Sequence, residues 1–61
     1  MDGIRKGDIV KFQEAPAEIL TVDKDAAGDP IFFLINKKTL FGHFAYPNEF
    51  EFVRRPKVRG Q

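Results

Sequence analysis

Asp29-Pro30-Ile31-Phe32-Phe33-Leu34-Ile35-Asn36-Lys37 is the stretch on which the fold turns. Its apolar part, Ile31 to Ile35, stands between a loop-forming run, Asp23 to Pro30, and a polar turn, Asn36 to Thr39. A short apolar run bounded by turn residues reads as a buried strand. Side chains alternate along a strand, so Ile31, Phe33 and Ile35 share one face and Phe32 and Leu34 the other. Both faces are apolar. A small barrel has room inside for only one of them. The other needs a cover: a loop, the N-terminal Met1 and Ile4, or another chain.

The same alternation recurs on either side of this stretch. Gly7-Asp8-Ile9-Val10-Lys11-Phe12 reads as a strand opened by a glycine turn, with Val10 and Phe12 on one face. Gln13 to Pro16 is a break, because Pro16 fixes its own backbone and restricts Ala15. Ala17 to Asp23 is the second strand, and a bulge in it would let Ile19 and Val22 face one core. Leu40 to Ala45 is the fourth strand, with Gly42 marking a bend or a close backbone approach. Tyr46-Pro47-Asn48-Glu49 suits a 3₁₀ turn. Phe50-Glu51-Phe52-Val53 is the fifth strand. A helix over residues 15–27 is disfavoured by Thr21 and Val22 at its centre and by poor apolar spacing.

Five short strands joined by tight turns predict an all-β, five-stranded small barrel over residues 1–53, with a basic tail over 54–61. The expected core is Val10, Phe12, Ile19, Val22, Phe33, Ile35, Leu40, Phe44, Phe50 and Phe52, to within one flip of strand register. The opening Gly7-Asp8-Ile9-Val10 resembles the start of many SH3-like barrels. The Tyr46 to Glu49 turn ahead of Phe50 to Val53 looks like their 3₁₀ turn before the closing strand. Phe41-Gly42-His43-Phe44-Ala45, followed by Pro47 and Glu49, is similar to the ends of small SH3-like accessory subunits, such as the ferredoxin-docking subunit of photosystem I and the variable chain of ferredoxin–thioredoxin reductase. The resemblance covers roughly residues 7–53 and implies a fold more than a function. Proline-peptide-binding members use an aromatic-lined groove, whereas this chain has no tryptophan and one tyrosine.

Composition narrows the chemistry. The chain has 61 residues, no cysteine, one histidine and no tryptophan; serine is also absent. Disulfides, cysteine–zinc sites, and serine or cysteine nucleophiles are thereby excluded. A chain this short buries only ~60% of its unfolded surface, so its core is marginal and a partner is a common support. The net charge of +1 hides an asymmetry. Residues 1–53 hold six basic side chains and all nine acids, and residues 54–61 hold Arg54, Arg55, Lys57 and Arg59 with no acid. The start of the chain lacks the apolar run of a secretory signal. Its longest apolar stretch falls far short of the ~20 residues a membrane helix needs. A cytoplasmic protein without membrane contact is the expectation.

The motifs that could carry chemistry are sparse. Asp23-Lys24-Asp25-Ala26-Ala27-Gly28 begins like a calcium loop. Ala27 and Leu34, however, occupy the positions where it needs an oxygen ligand and a bidentate glutamate. A solvated acidic hairpin loop is therefore expected there. His43 lacks a nucleophile or an orienting partner nearby in sequence, which favours a half-exposed strand histidine. Glu49 and Glu51 fit strand alternation on a solvated face. No catalytic residue, metal site or cofactor is expected. An enzyme completed only by oligomerisation, multiplying one His43 or Tyr46 around an axis, is the remotest alternative.

The seven phenylalanines are the more informative feature. Surplus aromatic surface points to a non-enzymatic interaction module that docks on a larger protein, or on itself, through an apolar strand face. Phe32, Leu34, Phe41, His43 and Tyr46 are the expected contacts. Lys37, Lys38, Arg54, Arg55, Lys57 and Arg59 would steer the encounter electrostatically. The same cations support the alternative of a nucleic-acid-binding barrel, with Phe41, Phe44 and Tyr46 as a stacking platform beside Lys37 and Lys38.

Overall fold

Turn chemistry divides the chain into five strands. The computed structural model describes residues 3–56. In it β1 spans Ile9–Phe12, β2 Ala15–Lys24, β3 Pro30–Asn36, β4 Gly42–Ala45 and β5 Phe50–Arg54. A 3₁₀ turn over Pro47–Glu49 precedes β5. Gln13 and Glu14 both adopt positive φ, 52° and 66°, between the paired residues Phe12 and Ala15. That is the tight two-residue connection whose twist suits a hairpin, built here without glycine. β2 therefore begins at Ala15 and includes Pro16, where the sequence suggests a break. The β3–β4 turn is organised by Asn36, whose Oδ1 accepts from Lys38 N at 2.7 Å and Thr39 N at 3.0 Å.

All pairings are antiparallel, and the strand order is β4-β3-β2-β1-β5. The expected all-β, five-stranded architecture and its 3₁₀ turn are thus present. The sheet is open, however: β4 and β5 are its two ends and do not pair with each other. Strong curvature still brings distant strands together. Phe32 of β3 meets Phe50 of β5 edge to face at 5.3 Å, and Phe12 of β1 meets His43 of β4 at 5.4 Å. A bulge between Ile19 and Thr21 bends β2, as the apolar spacing of that strand predicts. A second irregularity, where β1 pairs with β5, falls between Ile9 and Val10.

The core is Val10, Phe12, Ala17, Ile19, Phe32, Leu34 and Ala45, with Ile4 and Phe50 packed against it. This corrects the sequence-based core at several positions. Phe32 and Leu34 face inward, and Phe33 and Ile35 are half-buried on the outer face. Val22, Leu40, Phe44 and Phe52 are exposed. Register explains the flip. Phe32 is paired with the small Ala45, and Leu34 lies opposite Ile19, so these positions close over a narrow interior. On the other face Phe33 lies across Gly42, where a β-carbon would overlap its ring. Glycine at that position is what lets a phenylalanine lie on the outside.

Candidate functional site

Two surfaces concentrate residues that the fold does not consume. The first is the outer face of β3 and β4. Phe33 and Phe44 pack ring against ring there, with centroids 4.9 Å apart and planes inclined at 51°. Phe44 remains 67% exposed. In the adjoining β3–β4 turn, Leu40 and Phe41 are 68% and 69% exposed. Leu40 is held there at φ 66°, with its N–H donating to Asn36 O at 2.7 Å. Large apolar side chains projecting from one strand pair and its turn leave apolar area in water.

The structure redistributes the expected contact residues. Phe41 is exposed in the adjoining turn, opposite Asn36, where strand alternation sets it on the other side from Phe44. Phe32 and Leu34 are not exposed: both are core residues, so they cannot be surface contacts in the folded chain. Phe33 and Phe44 occupy the outer face instead. His43 points inward and packs on Phe12. Tyr46 is partly exposed, and its hydroxyl donates to Asp25 Oδ2 at 2.8 Å. Asp25 Oδ1 accepts from Ala27 N at 3.0 Å and Asp29 N at 2.9 Å. These bonds, led by that from Asp29 N, hold the Asp25 carboxyl below its usual range. The Asp25 carboxylate in turn raises the Tyr46 phenol. The acidic loop is therefore organised around its own carboxylate. Among the described residues, no three His, Asp or Glu side chains gather as metal ligands. Glu49 serves the 3₁₀ turn: Tyr46 N donates to its Oε2 at 2.9 Å, and its own N donates to Tyr46 O at 2.9 Å.

The second surface is a cleft of about 560 Å³, lined by the Arg5–Gly7 turn, Asp8, Ile9, Glu18, Lys37, Arg54, Arg55 and Pro56. Its foundation is Asp8, which is fully buried. Asp8 Oδ1 accepts from Arg55 Nε at 2.8 Å, and Oδ2 accepts from Arg55 Nη2 at 3.1 Å and Arg5 N at 2.8 Å. The Arg55 guanidinium beside it, helped by the Arg5 N–H, holds the Asp8 carboxyl below its ordinary range against the opposing effect of burial. Arg55 also donates to Gly3 O at 3.1 Å and lies 5.9 Å from the Phe52 ring centroid. Gly7, at φ 93°, turns the chain into β1, and its N–H reaches Ile19 O at 2.7 Å.

Of the expected electrostatic residues, Lys37, Arg54 and Arg55 line this cleft. Lys37 pairs with Glu18 at 3.3 Å. Lys38 is exposed outside it, and Lys57 and Arg59 lie outside the described residues. Asp8, Arg5 and Lys6 escape sequence reasoning. Nothing local marks a buried aspartate whose partner is 47 residues away. Among the described residues, no helix is long and apolar enough to cross a membrane. No protein-family model, curated protein or solved structure matches the chain.

Proposed function

We propose that the chain is a non-enzymatic protein-interaction module, an accessory subunit or small regulator of the cytoplasm built on an SH3-like barrel. It docks on a larger protein through the outer aromatic face of β3 and β4. The strand order, the 3₁₀ turn before β5 and the contacts that bridge distant strands support the fold reading. The observation that carries the function is the exposed Phe44, packed against Phe33, with the exposed Leu40 and Phe41 in the adjoining turn. Aromatic anchors ringed by polar surface are what protein interfaces enrich. Phe41 and Phe44 would be the anchors, and Phe33 would hold Phe44 in place.

Capture of the full chain from its native lysate, in nuclease-treated and untreated halves, tests this reading. A stoichiometric protein partner should survive nuclease and be lost with Phe44→Asp, an exposed substitution that leaves the core intact. Retention unchanged by Phe44→Asp, or a yield that collapses with nuclease, would refute it. Sedimentation velocity separates a second copy from a foreign partner, because a dimer abolished by Phe44→Asp would make the occupant the chain itself.

A further inference from the structure

The cations of the cleft outnumber what the fold uses. Arg55 is engaged by Asp8, and Lys37 by Glu18. The side chains of Arg5, Lys6 and Arg54 make no hydrogen bond or ion pair among the described residues. Five cations and two carboxylates line the cleft, a surplus of three positive charges. Elsewhere the described residues hold Lys11, Lys24 and Lys38 against Glu14, Asp23, Asp25, Asp29, Glu49 and Glu51, a surplus of three negative charges. The described chain is thus neutral but segregated. Like charges gathered in one concavity repel each other and favour an anion between them.

We propose that this cleft binds the phosphate backbone of single-stranded nucleic acid, with Arg5, Lys6 and Arg54 contacting successive phosphates. Three features suit a nucleic acid, and the third, a ring on which a base can stack, is the one an acidic peptide would not use. Two of the three cations with no hydrogen bond or ion pair among the described residues are guanidinium groups, whose planar fork suits phosphate oxygens. The volume of the cleft, about 560 Å³, is of the order that holds a small organic ligand such as a nucleotide. Phe52 does not line the cleft but adjoins it, 48% exposed with its ring centroid 5.9 Å from Arg55, and a base leaving the cleft could stack there. The Asp8–Arg55 pair positions the cleft, and no phosphate contact is assigned to it. This inference does not depend on the aromatic face of β3 and β4.

Fluorescence anisotropy of a labelled oligothymidylate with the full chain tests it. Neutralising about three phosphates gives a log–log salt slope near −2, so affinity should fall roughly 20-fold between ~50 and ~200 mM salt. Each of Arg5→Gln, Lys6→Gln and Arg54→Gln should reduce that slope by about 0.7, and Lys24→Gln, outside the cleft, should leave it unchanged. Phe52→Leu, which keeps apolar bulk but removes the ring, should weaken binding about ten-fold. The readout is the pattern of substitutions, because Lys57 and Arg59 are common to all variants. No binding at ~50 mM salt would overturn the proposal, as would a slope indifferent to all three cleft substitutions. Equal or tighter binding of polyglutamate would overturn it in favour of an acidic protein segment.

Discussion

Replacing Arg55 with methionine should cost this small fold a large share of its stability. The substitution keeps much of the aliphatic stem and removes the guanidinium. Asp8 then loses two of its three hydrogen bonds, those from Nε at 2.8 Å and Nη2 at 3.1 Å, and keeps only that from Arg5 N. Hydrogen bonds to charged groups contribute about 1.5–3 kcal/mol each, and breaking a fully buried pair costs about 3–5 kcal/mol. The Arg55 side chain is 38% exposed, so water can reach the orphaned carboxylate and the expected loss is smaller. A loss of about 2–3 kcal/mol follows, set against a total of roughly 3–9 kcal/mol for a chain of this length. The midpoint of thermal unfolding should drop by roughly 10–20 °C.

Far-UV circular dichroism with urea titration measures the loss, and an Asp8→Ala, Arg55→Met double-mutant cycle isolates the pair. A coupling of at least ~1 kcal/mol is expected. The pH dependence has a defined sign. The folded carboxyl of Asp8 titrates below its unfolded value of 3.8. Its contribution is therefore fully present above that unfolded value and is lost as pH falls through the folded one. Asp8→Ala should flatten the acid limb of the stability curve in that window. A loss under ~0.5 kcal/mol for Arg55→Met, together with coupling near zero, would refute the view that this pair anchors the end of β5 to the start of β1.

Further outcomes follow from the same structure. Gln13 and Glu14 hold positive φ, so the double substitution Gln13→Asn, Glu14→Gly should raise stability by about 1 kcal/mol in the same urea titration. The corrected strand register predicts that Phe32→Ala costs about 3–4 kcal/mol and Phe44→Ala under ~1 kcal/mol; the reverse order would restore the register expected from sequence. Gly42→Ala should cost about 1–3 kcal/mol by displacing the Phe33 ring, and Phe33→Ala in the same chain should relieve part of that cost. The single tyrosine makes the Asp25 contact visible by ultraviolet titration. The Tyr46 phenol should ionise above its ordinary value of 10.0, and Asp25→Ala should return it toward that value.

Much of the fold is legible because its signals are local. Gly7 before the first strand, the loop within Asp23 to Pro30 (residues 25–29 once β2 reaches Lys24 and β3 starts at Pro30), the Asn36 turn and the Tyr46 to Glu49 turn mark where the strands end. The unpatterned Ile19-Leu20-Thr21-Val22 run corresponds to a bulge between Ile19 and Thr21. What the sequence leaves undetermined is the face of β3. Ile31 to Ile35 is apolar on both sides, so alternation offers no preference. The choice depends on partners in other strands: Ala45 and Ile19 inside, and Gly42 beneath Phe33 outside. The proposed aromatic contact surface is therefore legible as a surplus but not as an address, which is why sequence points to Phe32 and Leu34 while Phe33 and Phe44 lie on the outer face. The cleft is hidden for a related reason. Arg5 and Lys6 meet Arg54 and Arg55 only after β1 and β5 pair, and composition alone assigns those last two arginines to a tail.

Photo-crosslinking from the aromatic face tests the central proposal most directly. Benzoylphenylalanine would replace Phe44 or Phe41 in the full chain, with Glu51 on β5 as the comparison position, and the chain would be irradiated in its native lysate. One dominant protein adduct that nuclease does not remove is expected from positions 44 and 41, and none from position 51. Adducts from position 51 alone, or no protein adduct from either aromatic position, would contradict the proposal.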